Sequence, residues 1–211
     1  MDLYFSPLAC SMATRIAFYE AGVEGRFIEV DTRAKRLADG SDFLAVNPMG
    51  QVPVLRMDDG ELLTENPAVL QYVADARPEA GLAPRDGVAR YRLQQWLNFI
   101  TTELHKVVFV PLLDPSMPED GKAYARRKAE QRLAYLNGRL EGREYLLERF
   151  TVADAYLTTV LNWARFTGVD LGQWPAVQSY MDRMYQRPSV AKAIAEETRA
   201  YQEQEARRAP R

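Results

Sequence analysis

The sequence predicts an α/β domain followed by an all-α helical one. Three observations carry that expectation. The first 77 residues alternate short apolar runs with helical periodicity, a Pro- and Gly-rich stretch "RPEAGLAPRDG" (Arg77–Gly87) interrupts the pattern, and everything beyond it reads as helix. The expected division is a domain over 1–77, a linker over 78–87 and a helical domain over 88–211. With 211 residues, 47% of them apolar, the chain has the material for a sizeable core.

"LYF" (Leu3–Phe5) reads as the first strand. "SMATRIAFYEAG" reads as a helix with Met12, Ala13, Ile16 and Ala17 on one side and Gly22 as its stop. "RFIEV" (Arg26–Val30) is a second strand, and residues 32–43 are charged and irregular, with a short helix around 43–46. Val54–Met57 and Glu61–Thr64 flank Asp-Asp-Gly, a hairpin signal. Asn66-Pro67 pairs an N-cap residue with proline at the first helical position and starts a helix to about Ala76. The order β-α-β-(α)-β-β-α is that of a thioredoxin-like domain, a mixed sheet with helices against it. In the second half Tyr91–Val110 forms a long helix, "DPSMPEDG" (Asp114–Gly121) breaks it, and Ala123–Leu140 forms another. Thr151 and Asp154 have the spacing of a capping box and open a third helix to about Phe166. Shorter helices follow Trp174-Pro175 and Pro188-Ser189, and the tail beyond Gln202 is expected to fray.

Composition removes several function classes. The balance of 27 basic and 29 acidic residues, net charge −2, offers no general pull toward nucleic acid or an anionic membrane. No apolar stretch is long enough to span a bilayer, and "MDLYFSPLAC" lacks the basic start and long apolar run of a signal peptide. One cysteine cannot form an intrachain disulfide, so a cytoplasmic protein is expected. One histidine and one cysteine also cannot build a common zinc cluster, and no metal is expected.

The chemistry-bearing residues are few. Cys10 sits where the first helix begins, and Ala13 occupies the place of a second thiol. Most free cysteines are small buried hydrophobes, but a thiol at a helix N-terminus meets orphan N–H groups and a dipole that favour its thiolate. Any disulfide it forms must take its partner from outside. "GQVP" (Gly50–Pro53) reads either as a turn into a strand or as a cis proline that leaves the Val52 N–H and C=O open to an extended peptide. In "TENP", Asn66 caps a helix whose N-terminus suits a carboxylate, and Glu65 could hold an ammonium group; the plainer reading is a cap and a solvated neighbour. His105, the only histidine, falls with Asn98 and Thr102 at i, i+4 and i+7, a polar stripe read as the wall of a cleft. Leu93, Trp96, Leu97, Ile100 and Leu104 take roughly the opposite side.

"LYFSPLACS", "NPMGQVPVL", "LLTENPAVLQYVAD", "YRLQQWLNFITTELHK" and "TVADAYL", in that order and spacing, resemble the glutathione S-transferases, most closely the bacterial beta class. The resemblance implies the glutathione transferase fold, glutathione as co-substrate, a homodimer, and conjugation of glutathione to small hydrophobic electrophiles. It implies that Cys10 meets the glutathione sulfur with His105 close by. Because Cys10 is itself a thiol, a mixed disulfide with glutathione and a second, thiol–disulfide exchange activity are expected of it. Lys35 would hold the glycine carboxylate, Gln51, Val52 and Pro53 the tripeptide backbone, Glu65 and Asn66 the γ-glutamyl end, and Asn98 and Thr102 a polar wall partly across the dimer. Phe109 and Trp163 are candidates for an apolar second-substrate site, Trp163 equally for core packing. Three positions depart from the pattern: Asn66 for a small residue, Phe5 for a frequent Tyr and Leu8 for a common Gly. A glutathione-fold protein turned non-catalytic binding or regulatory partner, and a glutaredoxin-like reductase, are the competing readings; the natural electrophile is not legible.

Overall fold

The computed structural model describes residues 1–208, which form two compact units. The first joins residues 1–82 with 188–208, and the second spans 83–187. The first unit therefore takes in the last helix of the chain as well as the N-terminal residues.

The first unit is built on a five-stranded sheet in the order β3-β2-β1-β4-β5. Strand β1 (Asp2–Phe5) runs parallel to β2 (Arg26–Asp31) with Leu3 opposite Phe27, and antiparallel to β4 (Val54–Arg56) with Leu3 opposite Leu55. The hairpin predicted around Asp-Asp-Gly is present, pairing β4 with β5 (Leu62–Thr64). A two-residue strand β3 (Arg36–Leu37) adds to β2 inside the stretch expected to be irregular. Two residues carry too little periodicity to be read beforehand.

Period-two alternation gives the sheet two faces. Tyr4, Val30 and Val54 form a buried cluster with Phe43, which a short 3₁₀ turn (Phe43–Ala45) delivers. On the other face, the Phe27 ring meets those of Phe5, Phe18 and Tyr19. The last two belong to α1 (Met12–Ala21), which stops at Gly22 in the left-handed conformation, φ 61°. Helix α1 packs on α2 (Asn66–Ala76) and on α9 (Pro188–Arg208). The frayed tail expected beyond Gln202 is instead helix as far as Arg208, and residues 209–211 lie outside the described residues. Charge and hydrogen bonding hold it: Gln204 Nε2 donates to Glu29 Oε1 (2.9 Å), Arg207 pairs with Glu29, and Arg208 Nε donates to Asp31 (2.9 Å).

The second unit is helical. Helix α3 (Gly87–Phe99) continues without a break through Ile100–Phe109 into α4 (Val110–Leu113). It is followed by α5 (Glu119–Leu140), α6 (Val152–Leu161), the single turn α7 (Ala164–Thr167) and α8 (Pro175–Gln186). Every residue of α6 is buried, so this helix is the axis of the unit. The helix expected to reach Phe166 ends at Leu161, and α7 follows as a separate turn. The predicted capping box is present. Asp154 Oδ2 accepts from the Thr151 N–H (2.9 Å) and hydroxyl (3.0 Å), while Oδ1 accepts from the Leu146 N–H (2.9 Å) and the Tyr180 hydroxyl (3.1 Å). Burial pushes the Asp154 carboxyl up to about 6 while these donors pull it back. Asp154→Ala leaves three buried donors short of an acceptor, while the Tyr180 hydroxyl keeps only its longer contact with the Asp154 carbonyl (3.4 Å), and a loss of about 3 kcal/mol in urea unfolding is expected, against roughly 1 kcal/mol for an exposed cap.

Candidate active site

Cys10 is placed by a short turn between β1 and α1. Ser6 N–H donates to Ser11 Oγ (3.2 Å), Ser11 Oγ donates back to Ser6 O (3.3 Å), and Ala9 N–H donates to Ser6 O (3.1 Å). Leu8 inside this turn has φ 59°, a conformation that costs an L-residue roughly 1 kcal/mol. It is the position where the sequence departed from a common glycine. Its N–H donates to Glu197 Oε2 at 2.7 Å. Cys10 is half-buried, with its carbonyl accepting the Ala13 N–H (3.2 Å) of the first helical turn.

The thiol faces the loop before β4. Cys10 Sγ donates to the Val52 carbonyl at 3.2 Å, a bond that requires the S–H, and the Val52–Pro53 peptide is cis, as one of the two sequence readings had it. Among the described residues the Val52 N–H has no partner. The loop is held from behind by Asn47, whose Nδ2 donates to Gln51 O (2.8 Å) and whose Oδ1 accepts the Met49 N–H (3.1 Å). Gln51 itself is exposed. Lys35, at φ 56°, donates through Nζ to Gly50 O (2.9 Å), which brings its ammonium to the same loop.

Asn66 departs from its expected role. Its side chain does not cap α2; it is 4% exposed, donating Nδ2 to Cys10 O (2.9 Å) while Oδ1 accepts from the Thr14 hydroxyl (3.1 Å). The cap position falls to Glu65, at φ 65°, whose carbonyl takes the N–H groups of Ala68 and Val69. Pro67 has no N–H, so the Asn66 N–H is the donor of that turn left without a partner among the described residues. Within the first unit, then, Cys10, Lys35, Gln51, Val52, Pro53, Glu65 and Asn66 fall on one chain of contacts or flank it: turn to Val52, turn to Asn66, loop to Lys35. Thr14, the partner that explains Asn66, gave no signal beyond being a small polar residue on α1.

The second unit presents His105 differently from the expected stripe. Over Ile100–Phe109 the helix is wound more widely, with the Val110 N–H reaching back to His105 O, five residues earlier. A 3.6-residue count carried across that stretch slips. Asn98 and Thr102 are exposed and bond back to their own helix, at Gln94 O (2.9 Å) and Asn98 O (3.0 Å). His105 is turned into the core at 7% exposure, its Nδ1 2.7 Å from the Tyr156 hydroxyl and its ring 5.0 Å from that of Trp163. Trp163 in turn meets Phe109, ring centres 6.2 Å apart, and both are buried. Three expected residues, His105, Phe109 and Trp163, are therefore brought together, and Asn98 and Thr102 are not part of that group. Tyr156 was missed: it lies in "TVADAYL", where nothing in the pattern points to an imidazole 51 residues earlier. Among the described residues no group of three or more His, Cys, Asp or Glu could hold a metal ion.

Two family models match this chain: the glutathione S-transferase N-terminal domain over residues 9–76 and the C-terminal domain over residues 100–188. Glutathione S-transferase GstA of Escherichia coli O157:H7 is 44% identical over 199 residues, covering 93% of this chain and 98% of the relative. A sphingomonad glutathione S-transferase complexed with glutathione superposes with a TM-score of 0.90 at 43% identity, covering 94% of this chain and 99% of the other. The bacterial beta class enzyme of Sphingomonas chungbukensis gives 0.89 at 43% identity over 93% and 98%.

Burial, with a smaller contribution from the Lys106 charge, lowers the His105 pKa to about 4, against 6.5 for the free side chain. Between those values the unfolded chain binds a proton that the folded one does not, so stability rises with pH through this window. It is fully present above about 6.5 and falls by roughly 3 kcal/mol as pH drops toward 4. His105 is the only histidine, so its single ring resonance in NMR is expected to titrate near 4; a midpoint between 6 and 7 would contradict this.

Proposed function

The chain belongs to the glutathione S-transferase family, and on that premise we propose how its own residues divide the work. It is a glutathione transferase, joining the glutathione sulfur to small hydrophobic electrophiles, with glutathione as co-substrate. The chemistry asks for three things: a cradle for an extended tripeptide with a carboxylate at each end, a stabilised thiolate, and an apolar place for the electrophile.

In our reading the cradle is the first unit. Val52 offers its unpaired N–H to the tripeptide backbone as an added strand would, alongside Gln51 and ahead of cis Pro53. The Asn66 N–H at the start of α2 receives the γ-glutamyl carboxylate, Glu65 its ammonium, and the Lys35 ammonium the glycine carboxylate. Asn66 also contributes indirectly, because its side chain fixes the Cys10 carbonyl. The observation that carries the reading is the Cys10 thiol lying 3.2 Å from Val52 O, which makes the residue before the cis proline and the reactive sulfur neighbours.

A histidine held near pKa 4 is a poor general base at neutral pH. His105 therefore acts as a neutral donor, and we assign it the tautomer in which Nδ1, 2.7 Å from the Tyr156 hydroxyl, accepts and Nε2 carries the proton that favours a thiolate. Phe109 and Trp163 supply apolar surface behind that imidazole, and Asn98 and Thr102, exposed on α3 and its continuation, belong to the polar wall that the dimer completes. The homodimer is part of the same proposal, supported by Val88 and Tyr91, which stand 72% and 71% exposed at i, i+3 on α3. A cytoplasmic location is part of the same proposal, supported by the single cysteine, which cannot form an intrachain disulfide.

Cys10 also supplies a second reaction. Its thiolate attacks the glutathione sulfur of a glutathione-containing disulfide, forming the Cys10–glutathione disulfide and releasing the other thiolate; the thiolate of a further glutathione then attacks the bound glutathionyl sulfur, leaves as oxidised glutathione and frees the Cys10 thiolate. Cys10→Ser is expected to lower disulfide reduction by about 100-fold or more while aryl-halide conjugation stays within about threefold. Equal loss of both would mean that Cys10 also activates the bound glutathione. Retention on immobilised glutathione separates this enzyme from a non-catalytic relative: a protein that flows through and conjugates nothing would overturn the proposal.

A further inference from the structure

Val52 has two backbone groups to offer a ligand, and one of them is already taken. Its N–H has no partner among the described residues, but its carbonyl accepts the Cys10 S–H at 3.2 Å. Both groups were expected to be open to an extended peptide; only the N–H is. In an antiparallel ladder the two residues of a hydrogen-bonded pair exchange both bonds, each giving its N–H to the other's carbonyl. A ligand backbone that takes the Val52 N–H therefore brings an N–H of its own to Val52 O, where the thiol already sits. The ligand residue opposite Val52 is the cysteinyl one, since its sulfur has to lie beside Cys10.

The two donors are unequal. A thiol is a weak donor and an amide N–H a strong one. A carbonyl oxygen has two lone pairs, yet two donors on it draw on the same electron density. The ligand amide thus weakens the S–H bond whether it shares the oxygen or displaces the sulfur. Both backbones that bring sulfur and oxygen together are anchored. Asn47 Nδ2 holds Gln51 O (2.8 Å) and Lys35 Nζ holds Gly50 O (2.9 Å) on one side, and Asn66 Nδ2 holds Cys10 O (2.9 Å) on the other.

A hydrogen bond donated by the protonated form of a group disfavours its ionised form. We propose that the Val52 carbonyl is a catalytic group for the exchange reaction, one that ligand binding operates. In the free protein it retains the Cys10 proton. The cysteinyl N–H of bound glutathione then takes the oxygen over, the proton passes to solvent and a thiolate remains. The step is an ionisation, and no electrons move. It rests on the glutathione cradle proposed above, and it keeps the sole thiol in its less reactive form until the ligand is bound. The charged groups on the elements that meet the Cys10 turn are Arg15 on α1 with its partner Glu197 on α9, Glu65 before α2, and Lys35, which reaches the Val52 loop. A ligand with two carboxylates and one ammonium adds negative charge there, which by itself raises a thiol pKa. Electrostatics and the carbonyl therefore act with opposite signs.

The test uses the full chain and two ligands without a thiol. One is γ-glutamyl-alanyl-glycine. The other is its ester analogue with lactate in place of alanine, which keeps both carboxylates and the ammonium but lacks the N–H. Cys10 is the only cysteine, so ultraviolet thiolate absorbance, with Cys10→Ser as the blank, follows that group alone while calorimetry measures binding. The alanyl tripeptide is expected to lower the Cys10 midpoint by about half a pH unit, a roughly threefold gain in thiolate below the midpoint. The ester is expected to leave the midpoint unchanged or raise it. In the free protein the single S–H stretching band in the infrared is expected below that of an unbonded thiol, and to move toward it with the alanyl tripeptide. Where the ester binds too weakly to saturate, that band decides. Binding of the alanyl tripeptide without a downward shift overturns the proposal and leaves the cradle standing, as does an equal fall with the ester. An S–H band at the unbonded position in the free protein overturns it as well. If neither ligand binds, the cradle reading falls and takes the carbonyl's role with it.

Discussion

The first unit depends on the buried contact of Glu197 with Leu8 and Arg15. A carboxylate fully removed from water is tolerable only with its partners in place: burial pushes the Glu197 carboxyl up to about 7, and the Arg15 charge and the Leu8 N–H act against that. The contact joins three things that sequence order keeps apart: the end of β1, the first helix and the last one. The sheet below supplies the surface, since Phe5 and Phe27 stack on the arginine. On that frame the cis Val52–Pro53 loop meets Cys10 from one side and Asn66 meets it from the other.

The second unit answers a different demand. Its imidazole is kept uncharged by burial among Tyr156, Trp163 and Phe109, and the wide winding of Ile100–Phe109 turns that imidazole inward while Asn98 and Thr102 stay outward. Helix α6, buried along its whole length, carries Tyr156, and the capping box at Thr151 and Asp154 fixes where that helix begins. A local backbone signal thus determines where an aromatic hydroxyl meets the histidine, two steps removed from any chemistry.

Much of this was legible in advance, wherever the cause was local. Gly22 stops α1 because only a left-handed residue fits there, Asp58-Asp59-Gly60 turns the hairpin, and Thr151 with Asp154 closes its own helix end. The family motifs led to Cys10, Val52, Pro53 and His105 as residues. The interactions that could not be read are those set by tertiary contact. Asn66 looks like a cap because caps are local, yet a thiol-bearing turn 56 residues earlier claims its side chain. The stripe of Asn98, Thr102 and His105 assumed one helical period, and the backbone changes period between them. Residues 203–208 looked like a solvated, fraying end because their partners Glu29 and Asp31 lie on a strand at the other end of the chain.

That last helix has a bearing on how the molecule is made. On the ribosome β1, α1 and the cysteine turn emerge early, but the carboxylate that satisfies Leu8 emerges only after the whole helical unit has been synthesised. Folding of domains from the N-terminus onward, the usual vectorial order, is therefore incomplete here. The nascent first unit waits without the carboxylate that Leu8 and Arg15 share, and is complete only when α9 arrives.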